Sequence, residues 1–204
     1  PQHWWPGETP FEIMVGAVLT QNTAWINVER AIVNLINAQA LDPARILAVK
    51  ESQLADWLRP SGYFNIKAKR LRNFCRWYRD AGEYRRLVRW DTETLRHALL
   101  AVNGIGPETA DDILLYAFER PVFVIDAYTR RIFSRLGMVE GDESYEELRQ
   151  FFEHGLKRGS RHERVRIFNE YHALIVQLGK STCRPRPRCD DCPLRSACPA
   201  ALSV

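Results

Sequence analysis

The chain has 204 residues, of which 46% are hydrophobic and 26% charged, and its formal net charge is +4. This length suffices for one large domain or two small lobes, and the absence of an apolar run of about twenty residues argues against a membrane span. The first segment, PQHWWPGETP, lacks the basic start and apolar middle of a secretion signal. Helical periodicities recur and strand patterns are scarce, so we expect an all-α fold.

The N-terminal third predicts two helices with a polar interruption. The run FEIMVGAVLTQNTAWINVERAIVNLIN has helical spacing on either side of residues 20–23. Asn22 or Thr23 can cap the second helix. Gln21 is polar in an apolar neighbourhood, so its amide is either buried with satisfied hydrogen bonds or presented to a ligand.

A second polar region follows two short helices predicted over residues 42–58. The turn Pro60-Ser61-Gly62 precedes Tyr63, Phe64 and a basic helix. Two aromatic residues at such a turn either form a wedge that intercalates into nucleic acid or pack into the core. The arginines and lysines of the helix suit phosphate contacts or a solvated face; they are Lys67, Lys69, Arg70 and Arg72.

The centre of the chain predicts a helix, a glycine turn and a second helix. Leu95 and Leu99 keep helical spacing up to Asn103, and Pro107 suits the first turn of the next helix. The intervening Gly104-Ile105-Gly106 would leave backbone N–H groups bare at a helix N-terminus, which favours an anion such as phosphate. An ordinary corner between helices is the alternative.

A buried extended run over residues 121–125 then leads directly to Asp126, which begins another helix. With the G-I-G hairpin about twenty residues earlier, this arrangement resembles the helix-hairpin-helix DNA glycosylases, the superfamily of endonuclease III. The resemblance implies that the hairpin (Gly104, Ile105, Gly106) grips the DNA backbone and that Asp126 is catalytic. It also implies that Gln21 enters the gap left by a flipped base, that Tyr63 plugs that gap, and that Arg130 and Lys180 contact DNA.

Four cysteines near the C-terminus predict a metal centre. Cys183, Cys189, Cys192 and Cys198 form the pattern C-x5-C-x2-C-x5-C, and both zinc and an iron–sulfur cube accept four thiolates. Spacing alone favours zinc. The surrounding G-K-x-x-C and C-x-x-C-P resemble the endonuclease III cluster loop, although its first gap usually has six residues rather than five, and this resemblance implies a structural [4Fe–4S] cluster.

The residue types around the hairpin bear on the reaction. A carboxylate such as Asp126 stabilises the positive charge that develops on the sugar when an N-glycosidic bond breaks, and a role as a mere helix cap is the alternative. Family members that also cut the strand use a lysine two residues after the hairpin. This chain has Glu108 there and no lysine between Lys69 and Lys157, so we expect no lyase step.

Several motifs resemble the 3-methyladenine branch of the family: Trp4-Trp5-Pro6, L-T-Q-N-T followed by Trp25, G-I-G-x-E-x-A-D and V-x-D-x-Y. In that branch aromatic residues sandwich the flipped base, which here would be Trp4 or Trp5 with Trp25. Indole faces favour cationic N-alkylated purines by roughly 0.5–2 kcal/mol. Trp4 and Trp5 could instead anchor the N-terminus, and Glu108 would add negative potential or cap its helix.

The resemblance therefore implies a two-lobed fold: a helical barrel lobe over residues 10–120, and a terminal lobe of residues 1–9 and 121–204 with the cluster loop at 183–198. We expect a monomeric, prokaryotic, cytoplasmic and nucleoid-associated enzyme that excises alkylated purines from double-stranded DNA without cutting the strand. Its rivals are a uracil, thymine or adenine mismatch glycosylase and a non-catalytic module that binds damaged DNA.

Overall fold

The computed structural model describes residues 5–202. Within that range the fold is all-α, as predicted, and contains no strand. Its helices are α1 Pro10–Leu19, α2 Trp25–Asn37, α3 Pro43–Ala48, α4 Glu51–Leu58, α5 Phe64–Asp80, α6 Glu83–Leu87, α7 Thr92–Leu100, α8 Pro107–Asp112, α9 Ala127–Arg135, α10 Tyr145–Gly155, α11 Arg161–Ser181 and α12 Pro199–Leu202. Short 3-10 turns occur at Arg59–Ser61, Cys189–Asp191 and Arg195–Ala197, and a π-helical turn at Ile113–Ala117.

The described chain divides into two compact units at Arg120 and Pro121. The first unit, which we call the barrel lobe, begins at Trp5 and contains α1 to α8. The second, the terminal lobe, contains α9 to α12. No helix of residues 5–202 combines the length and the apolar character needed to cross a bilayer.

The core of the barrel lobe is built around α1. Every residue from Met14 to Leu19 is buried, which is the pattern of a helix enclosed by its neighbours on all sides. Thr9 caps this helix by accepting the N–H of Glu12. The predicted cap of α2 is wrong: Ala24 is the N-cap and makes no side-chain bond, because Asn22 adopts a left-handed turn (φ 54°) two residues earlier.

A buried lysine fixes both polar loops of this lobe. Lys67 is 1% exposed, and its Nζ donates to Leu19 O at 2.8 Å and to Ser61 O at 2.6 Å. Burial, with the nearby charge of Arg70, lowers the pKa of Lys67 to about 8. Arg72 likewise donates to the carbonyls of Ile46 and Val49. The expectation that Lys67 and Arg72 contact phosphate is therefore wrong, since both side chains bind the protein's own backbone.

The terminal lobe packs aromatic side chains between α9, α10 and α11. Phe123, from the buried extended run that the sequence predicts, stacks on Phe152 with ring centroids 4.6 Å apart. Capping boxes begin both long helices, Ser144 with Glu147 at α10 and Ser160 with Glu163 at α11. These local signals fix where α10 and α11 begin.

Candidate active site

The predicted hairpin lies between α7 and α8 of the barrel lobe. Gly104 has φ 99°, and a Cβ there would lie 2.3 Å from Cγ of Arg70, so glycine is required both by conformation and by space. Gly106 is the N-cap of α8, and a Cβ there would meet nothing within 4 Å. Ile105 is only 5% exposed and its N–H donates to Val102 O at 3.0 Å, so the expectation of a bare N–H is wrong at this residue.

A buried ion pair braces the two helices of the hairpin. Arg96 of α7 donates through Nε to Oδ1 of Asp111 at 2.7 Å and through a terminal nitrogen to Oδ2 at 3.1 Å. The two side chains are 8% and 0% exposed. A planar guanidinium paired to both oxygens of a carboxylate fixes the relative orientation of α7 and α8, and with it the hairpin.

Gln21 is bound to the hairpin in this structure. Its Nε2 donates to Gly104 O at 3.0 Å and to the Thr109 hydroxyl at 2.9 Å, while its Oε1 accepts a bond from Arg70. The sequence left two roles open for this amide, a satisfied group or one presented to a ligand. All three contacts are internal, so a move of Gln21 into DNA would have to replace them.

Tyr63 is held outward at the turn before α5. It has φ 45°, a conformation uncommon for non-glycine residues, and its side chain is 69% exposed. The alternative of core packing is therefore wrong for Tyr63. Phe64 is half-buried, and the Arg59 guanidinium lies 4.6 Å from the centre of its ring.

Trp5 and Trp25, two of the aromatic residues proposed for the base pocket, form one cluster with Tyr116 in the barrel lobe. Trp5 stacks on Tyr116 with ring centroids 4.5 Å apart and meets Trp25 edge to face at 5.1 Å. Gly16 makes room for the cluster, because a Cβ there would lie 3.1 Å from the Trp25 ring. A base sandwiched between two rings needs them parallel and about 7 Å apart, so Trp5 and Trp25 do not form an open sandwich here. Trp4 lies outside the described residues.

Glu108 lies exposed in the first turn of α8, whose N-cap Gly106 offers no side-chain bond. A carboxylate at this end of a helix is stabilised by the helix dipole. This position agrees with the role in which Glu108 stabilises its helix. It is also compatible with the other role, in which the carboxylate adds negative potential.

Asp126 is the N-cap of α9 in the terminal lobe. Its Oδ1 accepts the Thr129 N–H at 2.7 Å and the Thr129 hydroxyl at 2.8 Å. Its Oδ2 lies 3.5 Å from Nε2 of His172, on α11. The side chain of Asp126 keeps 12% of its surface exposed, whereas that of His172 keeps 4%. The capping role is therefore present, and one carboxylate oxygen faces a histidine rather than the helix.

The surroundings of Asp126 keep its carboxyl ionised. Burial alone would raise its pKa, but the neighbouring imidazole of His172, followed by the bonds from Thr129, outweighs burial and holds the pKa below the usual range. Sequence reasoning assigned no role to His172, and no local pattern marks it. The same is true of Tyr116, which no motif singles out.

Arg130 and Lys180, the basic residues that the resemblance implies contact DNA, differ in accessibility. Arg130 is half-buried and donates to Glu143 O at 2.7 Å, whereas Lys180 is exposed in the last turn of α11. Two further arginines of α9 bind the start of the cysteine loop. Arg131 donates to the carbonyls of Gly179 and Cys183, and Arg135 to those of residues 184 and 185.

The four cysteines of the predicted metal centre lie in a loop next to α9. All four are free thiols and half-buried, whereas every other residue between Cys183 and Cys198 is exposed, so this segment has no apolar core. Arg135 donates to Sγ of Cys183 at 3.3 Å, and Cys198 Sγ contacts the Arg135 carbonyl at 3.4 Å. Within residues 5–202, no three His, Cys, Asp or Glu side chains are gathered for a single metal ion.

Comparison with known proteins identifies the family. The model of the HhH-GPD superfamily of base excision DNA repair proteins matches residues 15–158. A protein of Methanocaldococcus jannaschii, provisionally named a DNA repair glycosylase, is 46% identical over 200 residues, which are 97% of this chain and 89% of the relative. Endonuclease III of Sulfolobus acidocaldarius is 32% identical over 159 residues, 78% of this chain and 67% of the relative.

Among solved structures, the 3-methyladenine DNA glycosylase of H. pylori bound to 1,N6-ethenoadenine has a TM-score of 0.76 and is 34% identical. The match covers 88% of this chain and 89% of that one. The all-α fold agrees with these matches. This chain therefore belongs to the HhH-GPD superfamily of base excision DNA repair proteins and is an enzyme of the DNA glycosylase class.

Proposed function

We propose that this chain is a monofunctional DNA N-glycosylase that excises alkylated purines of the 3-methyladenine type and leaves the DNA strand intact. The observation that carries the substrate class is the aromatic cluster of Trp5, Trp25 and Tyr116. Support comes also from the 34% identity to a 3-methyladenine glycosylase over most of both chains.

In this proposal Asp126 carries the chemistry. As the N-glycosidic bond stretches, positive charge develops on the sugar, and the ionised carboxylate stabilises it and orients the attacking water. An N-alkylated purine is already cationic and leaves as a neutral base, so the pocket does not need a strong acid to protonate it. Water supplies its oxygen to the sugar carbon and loses one proton, which the carboxylate is placed to accept.

The aromatic cluster would recognise the cationic base. Indole faces attract cations, and this attraction is worth roughly 0.5–2 kcal/mol per contact. Because Trp5 now contacts Trp25 edge to face, entry of a base between them requires Trp5 to move or the base to stack on an outer face. Tyr63, exposed at its turn, would fill the space that the flipped base leaves in the duplex.

Endonuclease III activity is the second candidate, favoured by the 32% identity to the Sulfolobus acidocaldarius enzyme. An amine is needed at the second residue after the hairpin to form the imine that leads to strand cleavage. Glu108 has no amine, and the sequence contains no lysine between Lys69 and Lys157. We therefore favour hydrolysis without strand cleavage.

Borohydride trapping tests this choice. Incubation with DNA that contains an abasic site should give no covalent protein–DNA adduct and no strand cleavage above the level of spontaneous breakage. The Glu108→Lys variant is the informative control, because it restores an amine at the family's position and should make a trapped adduct detectable. An adduct formed efficiently by the unmodified protein would show that another amine acts and would overturn the monofunctional assignment.

We further propose that Cys183, Cys189, Cys192 and Cys198 hold a [4Fe–4S] cluster. When bound, the cluster would supply a structural cross-link for a loop whose other residues are all exposed. That loop carries basic residues suited to phosphate contacts; they are Arg184, Arg186 and Arg188.

Metal analysis of the purified protein tests the cluster. We expect about four iron and four acid-labile sulfides per chain, with the broad visible absorption of an iron–sulfur protein. Replacement of Cys189 by serine should lower the iron content and the affinity for DNA together. The variant Cys75→Ser, at a buried thiol of α5, is the matched control and should keep the iron. One zinc per chain and no iron would contradict the proposal.

A further inference from the structure

The two oxygens of the Asp126 carboxylate have different surroundings. Oδ1 accepts two bonds from Thr129, at 2.7 and 2.8 Å, and is thereby committed to capping α9. Oδ2 lies 3.5 Å from Nε2 of His172, which approaches from α11. The oxygen that is not used by the helix is thus the one that can face the sugar, and it is the one that His172 contacts.

Helix packing fixes the position of this imidazole. His172 is 3% exposed, and Gly179 follows it by seven residues, about two turns along the same face of α11. A Cβ at Gly179 would lie 2.4 Å from the Tyr128 ring, so α9 and α11 approach closely at this point. Arg131 of α9 donates to Gly179 O at 3.1 Å and reinforces the contact.

The arginines at the start of α9 bind backbone carbonyls rather than Oδ2 of Asp126. Arg130 donates to the carbonyl of Glu143, and Arg131 donates to those of Gly179 and Cys183. Thr129 is neutral and binds the other oxygen. Among these groups His172 alone is an ionisable side chain in ion-pair range of Oδ2.

We infer that His172 is a positioning residue of the glycosylase reaction: it fixes Oδ2 of Asp126 in the orientation that faces the sugar and stabilises its negative charge. This inference rests on the proposed role of Asp126. A fixed charge acts on the developing positive charge of the sugar without having to reorganise during the reaction, and electrostatic stabilisation of this kind is usually the largest single contribution to catalysis. Because the lowered pKa of Asp126 depends in part on His172, loss of the imidazole should raise that pKa.

The test is single-turnover release of methylated purine as a function of pH in the full-length protein. His172→Leu removes the donor and should lower the rate near neutral pH at least tenfold and move the acidic limb of the profile to higher pH. His172→Gln keeps an N–H donor and should recover part of the rate. His154→Leu, at an exposed histidine of α10, is the control and should leave the profile unchanged.

A role in packing alone would lower thermal stability while leaving the rate and the acidic limb unchanged, and that result would overturn the inference. Should His172→Leu not fold, the imidazole resonances of His172 can be compared by NMR at one fixed pH in the wild type and in Asp126→Asn. Removal of the carboxylate should shift these resonances, and unchanged resonances would contradict the contact. If Asp126→Asn itself keeps wild-type base release, the proposed function fails; if only the His172 variants behave as wild type, the positioning role alone fails.

Discussion

Asp126→Asn should lower the rate of base release by about 10³-fold or more while DNA binding is kept. Asparagine has the same shape and caps helices as well as aspartate does, so the fold of α9 should survive. What is lost is the negative charge opposite the sugar. The carboxylate and the DNA phosphates are both negative and repel each other. Removal of the carboxylate should therefore leave the affinity for damaged DNA unchanged or make it slightly tighter. Single-turnover release of methylated purine, with a parallel binding titration, measures both quantities.

The chain contains a matched control for this substitution. Asp91 caps α7 in the same Asp-x-x-Thr spacing: its Oδ1 accepts the Thr94 N–H at 2.9 Å, and its Oδ2 accepts the Thr94 hydroxyl at 2.6 Å. Asp91→Asn changes a cap of the same type at an exposed position, so base release should remain at the wild-type rate. Equal activity losses in the two variants would mean that capping, rather than charge at Asp126, explains the effect.

Asp111→Ala should destabilise the barrel lobe by about 3–5 kcal/mol, because it leaves the Arg96 guanidinium buried without its carboxylate. Natural domains are stable by only about 5–15 kcal/mol, so this is a large fraction of the total. Since the pair joins α7 to α8, the hairpin between them should also lose its fixed geometry and bind DNA less tightly. Chemical denaturation and a DNA-binding titration are the measurements.

Two further variants test whether the burial of an unpaired charge causes this loss of stability. Arg96→Met combined with Asp111→Leu removes both charges and should recover most of the stability that the single variant loses. Asp56→Ala breaks a pair of the same 2.7 Å length with Arg59, but there the side chains are 56% and 63% exposed. That change should cost less than about 1 kcal/mol. Similar losses at Asp56 and Asp111 would contradict the claim that burial decides the effect.

The sequence predicts those parts of the site that depend on local signals. The glycines of the hairpin, the buried run before Asp126 and the spacing of the cysteines each lie within about twenty residues, and each stands out against a helical background. The all-α fold and the family follow from the same signals. Helix periodicity predicts one buried face for residues 110–117, whereas the structure buries the whole segment, because neighbouring helices such as α1 and α7 pack against it.

The parts that the sequence does not reveal depend on contacts between distant segments. His172 lies on α11 and meets Asp126, which is 46 positions earlier in the chain, and a lone histidine in a helix carries no sign of its partner. Tyr116 reaches Trp5 across more than a hundred residues. Lys67 looks like one member of a basic cluster, yet its position on the buried side of α5 makes it a structural cation that holds two loops.

Release of free base from three duplexes, one methylated, one containing uracil and one with a thymine mismatch, tests the proposed activity most directly. We predict release of methylated purine, with the strand left intact, and no release from the other two. Release of uracil or thymine would keep the role of Asp126 but contradict the pocket for cationic bases. No release from any of the three would contradict the proposed substrate class and favour a protein that binds damaged DNA without excising these bases.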